Sequence, residues 1–315
     1  MIGLVTADVA APLDPDLLPL DEAMRSRLGD DAVSIVSWDD ASIDWGTFTA
    51  VIIRSPWDYT DRLDEFVGWV DRVDAATTLV NAADVVRWST DKRYLADLAG
   101  EGVPITPTVF VAPGDAAPTV EGVHVVKPTV GAGSSGARRC EPHEVADHVA
   151  LLHGEGRTAM VQPYLDLLDE RGETAHCFIA DGGGVLALSH AFRKGAILTS
   201  TDVEQEGDLF AKEEISGRVP SQVELALAER VLSTEIVRSL GDIFFARVDV
   251  APFRQADGTD SYVVMELELI EPSFYFTTDP ATVDLFADRF TDWLRDRDLV
   301  GSLVGGLVAD PGGER

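Results

Sequence analysis

The sequence predicts an α/β chain of mixed α/β and α+β character: a small parallel α/β domain over residues 1–88, then two α+β units over 89–184 and 185–315. Three observations predict it. Strand and helix patterns alternate through the first part. Strand patterns then dominate around a glycine-rich loop, and two strands near the C-terminal end carry carboxylates on one face. With 315 residues and 45% hydrophobic content, the chain can bury a core suited to one large domain or two to three small ones.

The apolar runs at 2–5, 33–36 and 51–54 read as parallel strands feeding crossover helices. Leu63, Phe66, Val67 and Val70 share one face of a helix expected over 62–73. A helix over 91–100 follows, capped by Thr90 or Asp91 and stopped by Gly100 and Gly102. The second unit has strands at 108–111, 124–127 and 159–163, with a helix over 142–152. Strands at 174–180 and 185–192, a long helix over 222–240, the two carboxylate strands and a closing helix over 281–294 complete the pattern. The segment 199–220 is polar and acidic and reads as a mobile loop, a candidate lid, while the tail after Ala309 reads as frayed.

A net charge of -30 makes nucleic acid and anionic membranes poor partners. Cys140 and Cys177 have neither metal spacing nor a disulfide framework, which fits a reducing compartment. The N-terminal run Met1-Ile2-Gly3-Leu4-Val5-Thr6 lacks a basic leader and reads as a first strand, and no apolar run is long enough to span a bilayer. The expected location is the cytoplasm.

The two carboxylate strands are Ala246-Arg247-Val248-Asp249-Val250 and Met265-Glu266-Leu267-Glu268-Leu269-Ile270-Glu271-Pro272. Residues two apart share a strand face, so Arg247 points with Asp249 and Glu266 with Glu268, while Met265, Leu267 and Leu269 point the other way. Burying bare anions costs several kcal/mol unless cations compensate them. Clustered oxygen ligands are what Mg²⁺ prefers when it also holds phosphate. The pattern reads as a metal–nucleotide site; a solvated strand face with paired acids is the plainer alternative.

Gly131-Ala132-Gly133-Ser134-Ser135-Gly136 matches G-x-G-x-x-G, yet Ala137-Arg138-Arg139-Cys140 after it reads as a strand and not a helix, which excludes a dinucleotide-binding turn. No Gly-Lys-Ser/Thr closes it, so it is not a Walker loop. What remains is a flexible loop after Lys127-Pro128 whose N–H groups and hydroxyls suit phosphate oxygens, or else a plain hairpin. Lys92, Lys127, Arg193, Lys194 and Arg247 lie beside element edges in a chain with only 25 basic residues. Arg54 ends a strand, where ligands of open α/β sheets bind, and an arginine there suits a carboxylate or phosphate. The neighbouring Trp57 and Tyr59 are as well suited to packing. Gln162-Pro163-Tyr164-Leu165 reads as an extended hinge able to pair its backbone with an adenine edge, and Glu173 as an acceptor for ribose hydroxyls. His143, His148 and His153 recur every five residues and read as surface or boundary histidines, whereas His190 beside Arg193 is a site candidate.

Taken in order, Lys92, Lys127-Pro128 with its glycine-rich loop, Gln162 to Leu165, Glu173, Arg247-Val248-Asp249 and Glu266-Leu267-Glu268 resemble the ATP-grasp ligase superfamily over nearly the whole chain. The segments 54–59, 189–194 and 266–272 are similar to the group that contains the D-cycloserine-forming cyclo-ligase. The resemblance implies an N-terminal domain ahead of two ATP-grasp subdomains that clasp ATP. It implies that Lys92 and Lys127 contact ATP phosphates, that the loop of Gly131, Gly133, Ser134 and Ser135 closes over the γ-phosphate, and that Gln162, Tyr164 and Leu165 hold adenine and Glu173 ribose. It further implies that Asp249, Glu266 and Glu268 bind two Mg²⁺ ions, with Mn²⁺ as a substitute. Glu268 stands where many relatives have Asn, which keeps the oxygen donor and adds a charge.

The implied chemistry is activation of a small amino-acid-like carboxylate as an acyl phosphate, followed by attack of nitrogen. Arg247 would stabilise the oxyanion, a role commonly worth about 3 kcal/mol of barrier. Arg54, Arg193 and Lys194 are the candidates for gripping the amino acid, with His190 nearby. The version implied is intramolecular: O-ureido-D-serine closes to D-cycloserine in antibiotic biosynthesis. An intermolecular peptide or amide ligase of the glutathione synthetase kind and a non-catalytic nucleotide-binding protein are the alternatives. A homodimer is the default assembly.

Overall fold

Three main sheets and one two-stranded pair make up the strands of the computed structural model, which describes residues 1–196, 205–206, 210–211 and 214–301. The first sheet contains β1 (Ile2–Thr6), β2 (Val33–Ser37), β3 (Ala50–Ser55) and β4 (Thr78–Val80), parallel throughout in the order β2-β1-β3-β4. β1 and β3 are buried along their whole length, which is why they read as unbroken apolar runs. Helices α1 (Leu17–Leu28) and α2 (Leu63–Ala76) cover the sheet, α2 burying Phe66, Trp69, Val70 and Val73. The helix expected over 91–100 is α4 (Tyr94–Gly100), which starts three residues later, and a further short helix, α3 (Ala83–Ser89), precedes it. Lys92 therefore sits in the turn between them, its N–H bonded to Thr129 O at 2.8 Å, rather than opening a helix.

The second sheet holds β5 (Val109–Val111), β6 (His124–Pro128), β7 (Arg138–Cys140) and β8 (Ala159–Pro163), antiparallel in the order β5-β8-β6-β7, with α5 (Val145–Gly154) packed on it. The glycine-rich loop is the β6–β7 connection. After α6 (Leu167–Arg171) comes β9 (Glu173–Ala180), then β10 (Leu186–Lys194). Two-residue strands β11 (Gln205–Glu206) and β12 (Phe210–Ala211) pair with each other. The third sheet is completed by β13 (Ile215–Gly217), β14 (Phe245–Arg254) and β15 (Asp260–Glu268), in the antiparallel order β13-β10-β9-β14-β15. Its sheet thus begins at Glu173 and not at residue 185: β9 and β10 form a hairpin, and a boundary drawn through it would separate bonded neighbours.

The single helix expected over 222–240 breaks at Ser233 and Thr234 into α7 (Gln222–Leu232) and α8 (Glu235–Ser239). A capping box starts α7: Ser221 accepts from Glu224 N–H, and the Glu224 carboxylate accepts from Ser221 N–H at 2.8 Å. The last helix, α9 (Ala281–Asp296), packs against both α1 and the third sheet. Half of the expected loop 199–220, and the tail beyond Ala309, lie outside the described residues.

One apolar core runs across the first and third sheets, joining Ile2, Leu4, Leu20 and Met24 to Phe244, Phe245, Phe274, Phe286 and Phe290. At the same junction, buried Asn81 donates to Phe245 O at 2.9 Å and Leu269 O at 2.8 Å, and accepts from Phe244 N–H at 2.6 Å. Asn81→Ala leaves these buried backbone groups unpaired and is predicted to cost about 2–4 kcal/mol. A lowered denaturant midpoint at constant slope checks this.

Candidate active site

The site is built from the pairing of β14 with β15. Arg247 lies opposite Glu268 and Asp249 opposite Glu266, so the period of two on each strand brings four charged side chains together. Carboxylate oxygens of Asp249, Glu266 and Glu268 all lie within 4.8 Å of one another. Arg247 donates from Nε to Asp249 Oδ1 and from Nη2 to Asp249 Oδ2, both at 2.8 Å, and also from Nη2 to Glu268. Its Nη1 donates to Ser273 O at 3.0 Å. Four of its five N–H groups are engaged in this way, which leaves one Nη1 hydrogen for a ligand.

Cations converge on these acids from the turn before α4 and from the second and third sheets. Lys92 Nζ lies 3.0 Å from Glu266, and Lys194 Nζ lies 3.1 Å from Asp249 and 2.5 Å from Glu173. Gly172 packs under this lysine: with φ 65, any Cβ on it would stand 2.4 Å from the Lys194 carbonyl oxygen. Burial would raise the Asp249 carboxyl, but Arg247 and Lys194 hold it well below the usual carboxylate range. Against the same burial, Lys92 and Lys127 lower Glu266. Glu268 goes the other way: burial pushes it up to about 8, against the pull of Arg247 and with Glu266 and Asp249 adding repulsion. Burial lowers Lys127 and raises Glu271.

A cavity of about 420 Å³ opens over this cluster. One wall is the loop with Gly131, Gly133, Ser134 and Ser135, beside Lys92 and Lys127. Gly133 (φ 57) and Ser134 (φ 63) are left-handed in succession, which turns backbone N–H groups toward one side. Three bonds anchor the loop: Lys92 Nζ to Gly131 O at 2.6 Å, Arg157 to Val130 O at 2.9 Å, and His148 to Gly136 O at 2.9 Å. His148 is thus a buried anchor, in place of the surface or boundary histidine expected. The opposite wall comes from the first sheet and the segment after β15: Trp57, Tyr59, Glu271, Ser273 and Tyr275. Tyr59 and Glu271 share a hydrogen bond.

A second cavity, about 130 Å³, adjoins the first and shares Lys127, Ser134, Lys194 and Glu266 with it. Gln162, Tyr164, Leu165, Glu173 and Met265 line it. Met265 was expected on the core face with Leu267. A bulge, which pairs Asp249 with Glu266 but Val250 with Val264, sends it toward Leu165 and Phe253. The shape suits a flat, mostly apolar ring with polar groups at one edge. The nearby buried Gln162 side chain is already bonded to Thr108 Oγ1 at 2.8 Å, and Arg139 stacks 3.9 Å over the Tyr164 ring.

Three expected site residues are elsewhere. Arg193 is one position from Lys194 and so faces away from the acids; its Nε donates to Arg171 O at 3.0 Å. His190 shares the face of Lys194 but lies four residues back, about 13 Å along the strand. There it is buried beside Phe192, Phe274 and Phe276, its Nε2 2.7 Å from Phe274 O. Arg54 is buried beneath the first sheet's end, 3.7 Å from Asp16, and lines neither cavity. Sequence reasoning missed Glu271, Ser273 and Tyr275. The only signal was Glu271-Pro272 closing a carboxylate strand, because the curl that follows it depends on contacts from the first sheet.

Residues 2–81 match the family described as the D-cycloserine synthetase DcsG N-terminal domain. The chain is 36% identical over 310 residues to the cycloserine biosynthesis protein DcsG of Streptomyces lavendulae, an alignment covering 94% of this chain and 99% of that protein. The crystal structure of D-cycloserine synthetase DcsG matches with a TM-score of 0.79 and 34% identity, covering 95% of this chain and 99% of that one. The VanG D-Ala:D-Ser ligase of Enterococcus faecalis matches with a TM-score of 0.60 and 12% identity over 98% of this chain and 99% of that one, a likeness of fold alone. No helix among the described residues is long and apolar enough to cross a membrane. The chain belongs to the D-cycloserine synthetase family, ATP-dependent ligases of the ATP-grasp fold that use a divalent metal.

Proposed function

We propose that the protein closes O-ureido-D-serine, or a close analogue, to D-cycloserine at the expense of ATP. The observation that carries this reading is the cavity of about 420 Å³. It has room for a triphosphate tail and one small amino acid between the carboxylate cluster and the Trp57–Tyr59–Glu271 wall. Identity of 36% along 99% of a cycloserine biosynthesis protein supports the same substrate class.

Three clustered carboxylates fit a hard divalent cation, so Asp249, Glu266 and Glu268 would hold Mg²⁺, two ions by the family pattern, with Mn²⁺ as a substitute. When bound, the metal neutralises charge that builds on the phosphates. Lys92 and Lys127 add fixed positive charge there, and the loop N–H groups close the phosphate end. Gln162, Tyr164, Leu165 and Met265 would hold adenine, and Glu173 the ribose. The substrate carboxylate attacks the γ-phosphorus, ADP leaves, and the oxygen-bound nitrogen of the same molecule attacks the activated carbonyl, releasing phosphate. Water then removes the ureido carbon as carbon dioxide and ammonia. The remaining Nη1 hydrogen of Arg247 faces the developing oxyanion. Glu271, paired with Tyr59, is the acceptor for the substrate's ammonium. Holding both reacting groups in one molecule gains effective concentration and needs no second amine site.

With purified protein, O-ureido-D-serine alone should release ADP in a one-to-one ratio with ring formed; a strict requirement for an added amine would point to an intermolecular ligase. Glu268→Ala should lower kcat/KM at least about 100-fold while leaving the circular dichroism spectrum unchanged. Because burial lifts Glu268 to about 8, a proton competes with metal below that value. Mn²⁺ affinity followed by electron paramagnetic resonance should therefore weaken as pH falls from 8.5 to about 6.5, and Glu268→Gln should flatten this dependence.

A further inference from the structure

Asp16 immediately precedes α1, where an aspartate ordinarily accepts from its own helix's first N–H groups. Its side chain makes no such bond. Both oxygens turn instead to the segment after β15. Oδ2 accepts from Phe274 N–H at 2.6 Å and Tyr275 N–H at 2.8 Å, and Oδ1 from Phe276 N–H at 2.9 Å. Three successive N–H groups reach one carboxylate only when the backbone curls, and Tyr275 is left-handed at φ 47. Arg54 stands behind Asp16 at 3.7 Å, both side chains fully buried, and its nitrogens make no hydrogen bond among the described residues. A buried ion pair is a poor source of stability compared with well-packed apolar residues, so retention of this one calls for another reason.

The curled segment meets the site at two points. Ser273 O accepts from Arg247 Nη1 at 3.0 Å, and Ser273 and Tyr275 both line the larger cavity. We infer that Asp16, backed by Arg54, is a positioning residue. Through it the N-terminal domain holds segment 273–276 in the curl that orients Arg247 and Tyr275 toward the carboxylate substrate. Asp16 lines neither cavity. The substrate named here rests on the function proposed above. The smaller cavity, assigned above to the nucleoside, has no lining residue from the curl.

The test compares the full-length protein with Asp16→Asn and Arg54→Met. Three quantities are measured: amide hydrogen exchange at Phe274, Tyr275 and Phe276, affinity for Mg²⁺ with a nonhydrolysable ATP analogue, and kcat and KM for O-ureido-D-serine. Asp16→Asn keeps the shape but leaves one acceptor oxygen and no charge. It is expected to speed exchange at the three amides at least tenfold and to lower kcat/KM for the amino acid at least tenfold, with nucleotide affinity within twofold of the parent. Unchanged exchange at these amides, or unchanged kcat/KM per folded molecule, overturns the inference. So does a parallel loss of nucleotide affinity, which a general loosening of the fold would produce. Arg54→Met should shift the same readouts in the same direction and decides the matter if Asp16→Asn does not fold. If the parent protein fails to turn over O-ureido-D-serine, the substrate reading fails, and the exchange and nucleotide measurements alone decide the inference: local loss of protection supports it, and unchanged protection overturns it.

Discussion

The β14–β15 pairing concentrates negative charge on one buried strand face, and most of the architecture serves to make that tolerable. Asp249, Glu266 and Glu268 are joined by Glu173 and Glu271 around the same space. Unpaired, such groups would protonate or pull the strands apart. The compensating cations come from separate elements: Lys92 from the turn before α4, Lys127 from the second sheet, Lys194 from β10 and Arg247 from β14 itself. The five carboxylates outnumber the four cations by one, and burial lifts two of them, Glu268 and Glu271, above the usual carboxylate range. A divalent cation held there would offset that mismatch, which would tie the proposed binding chemistry to the packing.

Two ends of the site are governed by different parts of the chain. The end proposed for the nucleoside lies between the second and third sheets, where the bulge in β15 turns Met265 out of the core. The end proposed for the amino acid lies between the first and third sheets, where Trp57 and Tyr59 line one cavity with Glu271 and Tyr275. The shared phenylalanine core and the bonds of Asn81 fix the first sheet to the third, so the amino-acid end is set by folding rather than by a hinge. The loop over the phosphate end is instead held at its base by Lys92, Arg157 and His148, with its tip built from Gly133 and Ser134.

Much of this was legible from period-two reasoning. Arg247 with Asp249, and Glu266 with Glu268, share a face because a strand allows nothing else, and the glycine-rich loop reads as a hairpin because a strand follows it. The same rule, applied further, would have removed Arg193, since it cannot share a face with Lys194. Other features have no local signature. The bulge that redirects Met265 depends on β14 opposite, and the break at Ser233–Thr234 on packing around α7 and α8. Arg54 sits at a strand end, as ligand-binding arginines do, yet α1 supplies Asp16 on top of it and closes it off. The sequence distance of 38 residues between them carries no hint of that contact. β9 looked like part of the second unit because the chain visits it next, whereas its partners, β10 and β14, come later.

The most direct measurement is a crystal structure of the protein with Mn²⁺ and a nonhydrolysable ATP analogue, with anomalous scattering recorded at the manganese edge. Anomalous peaks coordinated by Asp249, Glu266 and Glu268, with the triphosphate running past Lys92 and Lys127 beneath the 131–136 loop, are the predicted result. Nucleotide bound elsewhere, or manganese absent from that triad while the nucleotide is present, would contradict the account.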